Sequence, residues 1–291
     1  MKCKIDLMLR KVIPLLCLVL AVSFVPVELQ AQKKDGKKSE RKTKKAQSMG
    51  QKTYEALTSA QELIEAKQYD QGLEVLRELE RQKKLTPYEK AQLYNYFAYT
   101  YFTLEKYQDA IRSYQKVLLQ PELPEALIAN SLYTLAQLYF ITEEYDNAVK
   151  IIEKWFKNTD KPSENAYMLL GQGYYQLEKY KKSLVPLKSA YKMVKARGDK
   201  PKQNLLLLMR VNYYNLGDYK SMVNVLKELV VLYPKTEYWL TMAGAYSELQ
   251  NLEKQMSIME LLYEGDNLPK GNQQLNLANL YLLHEIPYKA G

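Results

Sequence analysis

Catalysis needs reactive side chains brought together, and this chain carries few of the usual kinds. Its one histidine is His284, two residues before Ile286-Pro287, and its two cysteines are Cys3 and Cys17. A lone histidine, with no cysteine in the body of the chain, assembles neither a common zinc site nor a Ser–His or Cys–His nucleophilic pair. His284 therefore reads as a surface or inter-helix residue near a turn. Gly171-Gln172-Gly173 falls inside a helical apolar pattern, where Gly171 serves packing and not the cradling of phosphate. Acidic pairs such as Glu143-Glu144 fall between helical segments and read as solvated charges. No catalytic, metal-ligating or cofactor-binding set is expected, and the sequence predicts a chain that is not an enzyme. What remains is a series of amides and aromatic rings, whose meaning depends on the elements that position them.

The formal charge of +9 suggests nucleic acid until it is located. Residues 1–32 contribute +2 and residues 33–45 contribute +6, which leaves +1 for residues 46–291. The body of the chain is nearly neutral, so no basic footprint for nucleic acid is expected there.

The N-terminus accounts for the rest. Lys2, Lys4, Arg10 and Lys11 precede an apolar run from Val12 to Val27, and Ala31 offers a small residue for cleavage before Gln32. This is the layout of a secretory signal peptide, residues 1–31. The run is broken by Pro14 and Pro26 and is shorter than the ~20 apolar residues of a membrane-spanning helix. Leu29 is larger than a signal peptidase prefers, so an N-terminal inner-membrane anchor facing the periplasm is the alternative. Leu16 is too bulky for Cys17 to be a lipid-attachment site. Removal of the signal would take both cysteines with it, leaving no disulfide, which suits an oxidising compartment. Residues 32–51 are polar, lysine-rich and without apolar period, as expected of a disordered basic linker. A solvated tether and a weak contact with an anionic membrane surface are both compatible with that composition.

From residue 52 onward the chain repeats itself. Tyr-x-x-small-apolar recurs at Tyr69 with Gly72-Leu73, Tyr107 with Ala110-Ile111, Tyr145 with Ala148-Val149 and Tyr180 with Ser183-Leu184; Tyr219 with Met222-Val223 enlarges the small residue. Upstream of these tyrosines a second pattern recurs in phase. It reads Tyr94-x-x-Phe97-Ala98-x-x-Tyr101, Leu132-x-x-Leu135-Ala136-x-x-Tyr139, Tyr167-x-x-Leu170-Gly171-x-x-Tyr174 and Trp239-x-x-Met242-Ala243-x-x-Tyr246, with Leu277-Ala278-x-x-Tyr281 opening a seventh unit. Spacings of three, four and seven put these side chains on one helical face, and the small residue lets a paired helix come close.

Turn chemistry agrees. Thr86-Pro87-Tyr88-Glu89 is a capping box with proline at the first helical position. Ser163 and Thr236 are placed to cap helices that follow Pro162 and Pro234, and Leu216-Gly217-Asp218 is a tight break. Pro186 lies near the start of a second helix, which it should bend modestly and not end. Helix pairs are expected at 52–82, 87–119, 125–158, 164–195, 203–233 and 237–263. A seventh unit starts near Asn272, and the chain reads as truncated within it.

These repeats resemble the tetratricopeptide family over residues 52–291. The tyrosine spacings of 38, 38, 35 and 39 residues slightly exceed the ~34 of that repeat, as longer loops would produce. The segments Ser131–Tyr139, Pro162–Tyr167, Tyr213–Tyr219 and Leu232–Trp239 are similar to one group of exported bacterial members, encoded beside the TonB–ExbB–ExbD machinery that powers uptake of iron complexes. The resemblance implies an all-α, right-handed α-solenoid of about six and a half hairpins. It also implies a periplasmic scaffold that binds a protein or peptide, with a component of the TonB–ExbB–ExbD system as the partner suggested. An envelope-assembly factor for outer-membrane or peptidoglycan machinery is the alternative. A carboxylate-based wall hydrolase is the outlying one.

In such solenoids the first helix of each pair lines the inner groove, and residues offset by one from the packing pattern face it. Here these are Asn95, Tyr99 and Phe102; Tyr133, Gln137 and Phe140; Asn165, Gln172 and Tyr175; and Asn204, Leu207, Tyr214 and Asn215. Amides can bond an extended peptide backbone and rings can cover its side chains. The competing use of the rings is to fill space between neighbouring helix pairs. The lysine–asparagine clamp by which some relatives seize a terminal carboxylate is absent, since Asn95 and Tyr99 occupy the corresponding stretch. Recognition along a peptide's length is therefore expected.

Overall fold

A helix with apolar side chains three and four residues apart must bury that face, and a second helix is the simplest cover. The computed structural model describes residues 49–82 and 84–285. Among them are thirteen α-helices and no strand. They are α1 (Gln51–Glu65), α2 (Tyr69–Glu80), α3 (Pro87–Thr103), α4 (Tyr107–Leu118), α5 (Glu125–Ile141), α6 (Tyr145–Lys157), α7 (Glu164–Gln176), α8 (Tyr180–Ala196), α9 (Gln203–Asn215), α10 (Tyr219–Leu232), α11 (Thr236–Glu248), α12 (Leu252–Glu264) and α13 (Asn272–Leu283). The first twelve make six consecutive hairpins, each a first and a second helix, and α13 packs on α12 as the first helix of a seventh. The fold is an all-α solenoid. The expected signal peptide and nearly all of the expected linker lie outside the described residues.

The chain divides into two compact units, Met1–Asn158 and Thr159–Gly291. In the first, Leu57, Leu73, Leu76, Leu79, Leu93 and Phe97 form one buried cluster. Ala98, Ala110, Ile111, Tyr114, Val117, Leu135, Leu138 and Tyr139 form another. In the second unit Leu184, Leu187, Leu205, Leu226, Leu229, Met242 and Met259 are buried.

The small residues of the repeat stand where the two helices of a hairpin meet. Ala98, Ala110, Ala136 and Ala148 are completely buried. Ser183 donates its hydroxyl to the Gly171 carbonyl at 2.7 Å, a contact between α7 and α8 that only a close approach allows. A Cβ added at Gly171 would lie 2.5 Å from Cδ2 and 2.6 Å from Cγ of Leu187. The fifth hairpin departs from this rule. Counting back three residues from the tyrosine that precedes each turn gives Ala98, Ala136, Gly171 and Ala243, but from Tyr213 it gives Arg210, and its second helix carries Met222.

The turns inside the hairpins are six copies of one device. Lys67, Glu105, Glu143, Glu178, Gly217 and Gln250 all have positive φ, between 55° and 68°. The N–H of the next residue donates to the carbonyl five residues back: Gln68 to Leu63, Lys106 to Tyr101, Glu144 to Tyr139, Lys179 to Tyr174, Asp218 to Tyr213 and Asn251 to Tyr246, at 2.8–2.9 Å. This is the Schellman closure, which satisfies the last carbonyls of the first helix. Only Gly217 is glycine, so the other five turns hold an L-residue in a conformation that costs about 1 kcal/mol or more.

The helix starts correct one expectation. The capping box at Thr86 is present in full, with Thr86 Oγ1 accepting from the Glu89 N–H at 3.2 Å. Ser163 accepts from the Ala166 N–H at 3.2 Å. Thr236, however, is not a cap. Lys235 holds the extended N-cap conformation and Thr236 is already helical, so its side chain is past the position from which it could bond the first free N–H groups. Asp218, expected only as part of a break, and Asn251, not singled out from sequence, cap α10 and α12. Pro186 lies within α8, which continues through it to Ala196.

Glu89 does more than close the box. Its carboxylate accepts from the Thr86 N–H at 2.8 Å and from the Gly50 N–H at 2.9 Å, tying the residue before α1 to the start of α3. Burial alone pushes this carboxyl up, but the bonds from Thr86, Gly50 and Thr53 outweigh it and hold the group below its ordinary value. A carboxyl so held adds stability that is complete above its unfolded value and vanishes as pH falls through the folded one.

Two outcomes are expected. Glu89→Gln lowers stability at neutral pH by about 1–2 kcal/mol, and the gap from the parent closes on acidification below about pH 4.5. A gap of constant size in urea melts across that range would reject this role. Gly171→Ala costs about 1–3 kcal/mol through overpacking against Leu187, whereas Glu143→Gly stabilises by about 1 kcal/mol by relieving the left-handed turn. The denaturation midpoints of the two variants should move in opposite directions.

Candidate functional site

In the first unit the offset residues lie on α3 and α5. Asn95, Tyr99, Phe102, Tyr133 and Phe140 are partly buried and Gln137 is buried. Three of the rings are engaged in the fold. Phe102 packs on Tyr107 with centroids 6.0 Å apart, and Phe140 on Tyr145 at 5.9 Å, each across its own hairpin turn. Tyr133 turns onto Trp155 of α6 at 5.4 Å, and burial pushes its phenol up. One further residue of this face was not found from sequence. Tyr96 of α3 donates its hydroxyl to Gln61 of α1 at 2.9 Å, joining two first helices.

In the second unit the residues lie on α7 and α9. Asn165 and Asn215 are exposed, while Gln172, Tyr175, Asn204, Leu207 and Tyr214 are partly buried. Tyr175 packs on Tyr180 at 5.8 Å and Tyr214 on Tyr219 at 6.3 Å, repeating the turn contact of the first unit. Two amides are spent locally. Asn204 Oδ1 accepts from the Leu205 N–H at 2.9 Å, and Asn215 donates to the Val211 carbonyl at 2.9 Å. Among the described residues no hydrogen bond reaches the side chains of Asn95, Gln137, Asn165 or Gln172. Amides with spare hydrogen-bonding capacity thus stand on α3 and α5 in the first unit and on α7 in the second.

Arg210 of α9 was also missed. The residue is partly buried, and its Nε is sealed from solvent with no hydrogen-bond partner among the described residues. Burial pulls the guanidinium below its ordinary value, against the opposing pull of Glu237, Tyr238 and Tyr175 nearby. The sequence signal was there, because Arg210 stands in register with Ala98, Ala136 and Gly171 once the repeats are aligned on Tyr101, Tyr139, Tyr174 and Tyr213.

The residues weighed for catalysis fall elsewhere. His284 is the C-cap of α13 and is partly buried. Glu143 is exposed in the left-handed turn position. Glu144 accepts from Gln108 at 3.0 Å, from Asn147 at 2.9 Å and from Thr142 at 3.1 Å, bonds that hold its carboxyl below the ordinary value. The adjacent acids are thus separated by role, one in a turn and one bridging hairpins. No cluster of three metal-ligating side chains occurs among the described residues, and none of their helices is long and apolar enough to cross a membrane.

A tetratricopeptide repeat protein from Parabacteroides merdae superposes with a TM-score of 0.52 at 17% identity, over 83% of this chain and 90% of its own. The chain has the tetratricopeptide-repeat fold. A family model described as anaphase-promoting complex, cyclosome, subunit 3 matches residues 125–190, which run from α5 into α8 of the tetratricopeptide array. YrrB, described as a tetratricopeptide-repeat protein with an unusual peptide-binding site, aligns at 17% identity over 69% of this chain and 91% of its own, with a TM-score of 0.49. No curated protein matches the chain.

The geometry separates rings from amides in a measurable way. Phe140→Ala is expected to lose about 2–4 kcal/mol, because it removes a turn-locking ring, while Asn165→Ala and Gln172→Ala stay within about 0.5 kcal/mol of the parent. A large loss of thermal stability in either amide variant would show that these side chains serve the fold.

Proposed function

We propose that this chain is a scaffold that holds an extended polypeptide against its first helices. The observation that carries this reading is a set of amides with no side-chain hydrogen bond among the described residues, Asn95 and Gln137 in one unit and Asn165 and Gln172 in the other. Of these, Gln137 and Gln172 hold the same place in their repeats, two residues before Tyr139 and Tyr174. Gln137 is buried and Asn95 and Gln172 are partly buried; amides so placed without protein partners are costly to keep, and a peptide backbone supplies both donors and acceptors. Tyr99 and Tyr175 lie on the same helices, within reach of the side chains of such a peptide.

The proposed setting is the periplasm. The basic stretch and apolar run at the N-terminus support export, either with cleavage or as an inner-membrane anchor, and the lysine-rich segment after it would serve as a tether near anionic headgroups. The resemblance to exported proteins encoded with TonB, ExbB and ExbD suggests that system as the source of the partner. The role proposed is binding, without catalysis, cofactor or nucleic acid.

A photoreactive residue placed at Tyr99 or Gln172 in living cells tests this. The expected result is capture of a TonB–ExbB–ExbD component, together with slower uptake of iron complexes when the gene is deleted. Capture of outer-membrane or peptidoglycan assembly factors, with uptake unchanged, would move the scaffold to envelope assembly. Equal capture from Val231, an exposed position on second helix α10, would overturn the first-helix reading altogether.

A further inference from the structure

The nearly neutral sum of the body conceals a segregation of charge. Residues 179–202 hold eight lysines and one arginine against a single acid, Asp199. Five of the lysines lie on α8, a second helix of the second unit. Within it Lys181, Val185, Lys188 and Lys192 follow at intervals of four, three and four, which puts them on one face. All four are exposed. Helix α10 repeats the pattern, with Lys220, Asn224, Lys227 and Val231 at the same intervals and likewise exposed.

The two helices are joined by Glu228 of α10, which accepts from Tyr191 of α8 at 2.7 Å and from Lys195 at 2.6 Å. That contact takes up the one acid of α10, and α8 has none. Arg197 is spent on Glu164 and Asp199, at 3.0 and 2.8 Å. Among the described residues, none of the five lysines on the two faces enters a salt bridge. Like charges three or four residues apart on a helix repel, so the fold gains nothing by gathering them. Val185 and Val231, set among these charges, are 68% and 78% exposed.

We propose that the exposed faces of α8 and α10 dock on a lipid bilayer carrying anionic phospholipid headgroups, with Val185 and Val231 reaching in among the headgroups. Lysine is a compact point charge without the planar fork that recognises one carboxylate or phosphate. A row of lysines therefore suits a diffuse negative surface better than a single acidic peptide. No ring or arginine stands among the eight positions, as stacking on nucleic acid would require. Apolar side chains beside lysines are the composition of an interfacial contact. The faces belong to second helices, so the proposal does not need the scaffold reading and leaves the first-helix wall open to a peptide.

The test uses the full chain with Cys3→Ser and Cys17→Ser, and one fluorescent label at Val185→Cys, at Val231→Cys or at Glu237→Cys. Glu237 is exposed on the first helix α11 and serves as the control. Quenching by acrylamide is read with and without vesicles of phosphatidylglycerol and phosphatidylcholine. The labels at 185 and 231 should become shielded, the label at 237 should not, and phosphatidylcholine alone should shield none. Sodium chloride at about 0.5 M should reverse the shielding. Combining Lys181→Gln, Lys192→Gln and Lys227→Gln should raise the lipid needed for half-shielding by roughly tenfold to a hundredfold. Thermal melts check that this variant folds, and the comparison of vesicles on the parent decides even if it does not. Equal shielding at all three labels, shielding by phosphatidylcholine alone, or shielding untouched by the three substitutions would overturn the proposal. Shielding by polyglutamate but not by the anionic vesicles would also overturn it, in favour of an acidic protein. Each of these results leaves capture by the first helices to its own crosslinking test.

Discussion

The structure depends on how closely two helices of a hairpin can approach. Alanine or glycine on the first helix and alanine, glycine or serine on the second bring the backbones near enough for Ser183 to bond the Gly171 carbonyl directly. Side chains to either side then interdigitate, which is why Leu135, Leu187 and Leu226 are all but fully buried. The Schellman turn works toward the same end from the connecting side. By closing the first helix with a bond to the carbonyl five residues back, it fixes where the second helix begins, and so where Tyr107, Tyr145, Tyr180 and Tyr219 place their rings. Close approach and tight closure are therefore one constraint, expressed once per repeat. In an array where each unit touches its neighbours, stability accumulates from such local terms.

That constraint explains what could be read from sequence and what could not. Helix existence, pairing and approximate ends were legible, because Tyr-x-x-small recurs in phase with apolar-small-x-x-aromatic and few other folds produce that coincidence. The turn conformation was not legible. Glu105, Glu143 and Glu178 occupy left-handed positions that local propensity would assign to glycine, and tertiary closure overrides the preference. The cap at Thr236 failed for a smaller reason: a threonine shortly after Pro234 reads as a boundary, but Lys235 takes the extended N-cap conformation. For the candidate wall, counting one residue off the packing pattern identified the right helices. It could not tell which rings would fold back onto the next helix, since Phe102 and Tyr107 meet only after the turn between them has its shape.

The same comparison sorts the wall by energy. An aromatic ring packed on another ring at about 6 Å contributes to the hairpin whether or not a partner is present. Asn95, Gln137, Asn165 and Gln172 have no such alternative use, so the free energy of their polar groups is left to water or to a ligand. Residues that the fold does not need are those whose identity a binding role can explain, and the amides meet that criterion better than the tyrosines. The rings stiffen the turns that follow the helices carrying the amides, which is a contribution of a different kind. A wall whose spacing is set by packing can present its amides to an extended backbone without rearranging, and binding then loses less conformational entropy.

The fifth hairpin shows how far a repeat can stray while the array persists. Arg210 and Met222 both enlarge the meeting point of α9 and α10, yet Met222 is buried and the turn between the two helices closes with the same bond from Asp218 to Tyr213. Because each hairpin is stabilised mostly by itself and its neighbours, the strain of a larger pair is confined to one repeat. A globular core would spread that strain through all its contacts. Repeat architecture thus allows a long charged side chain to replace a small residue in one hairpin without dismantling the rest. Arg210 differs from its counterparts in the other hairpins in size as well as in charge, and the fifth hairpin still closes with the turn they share.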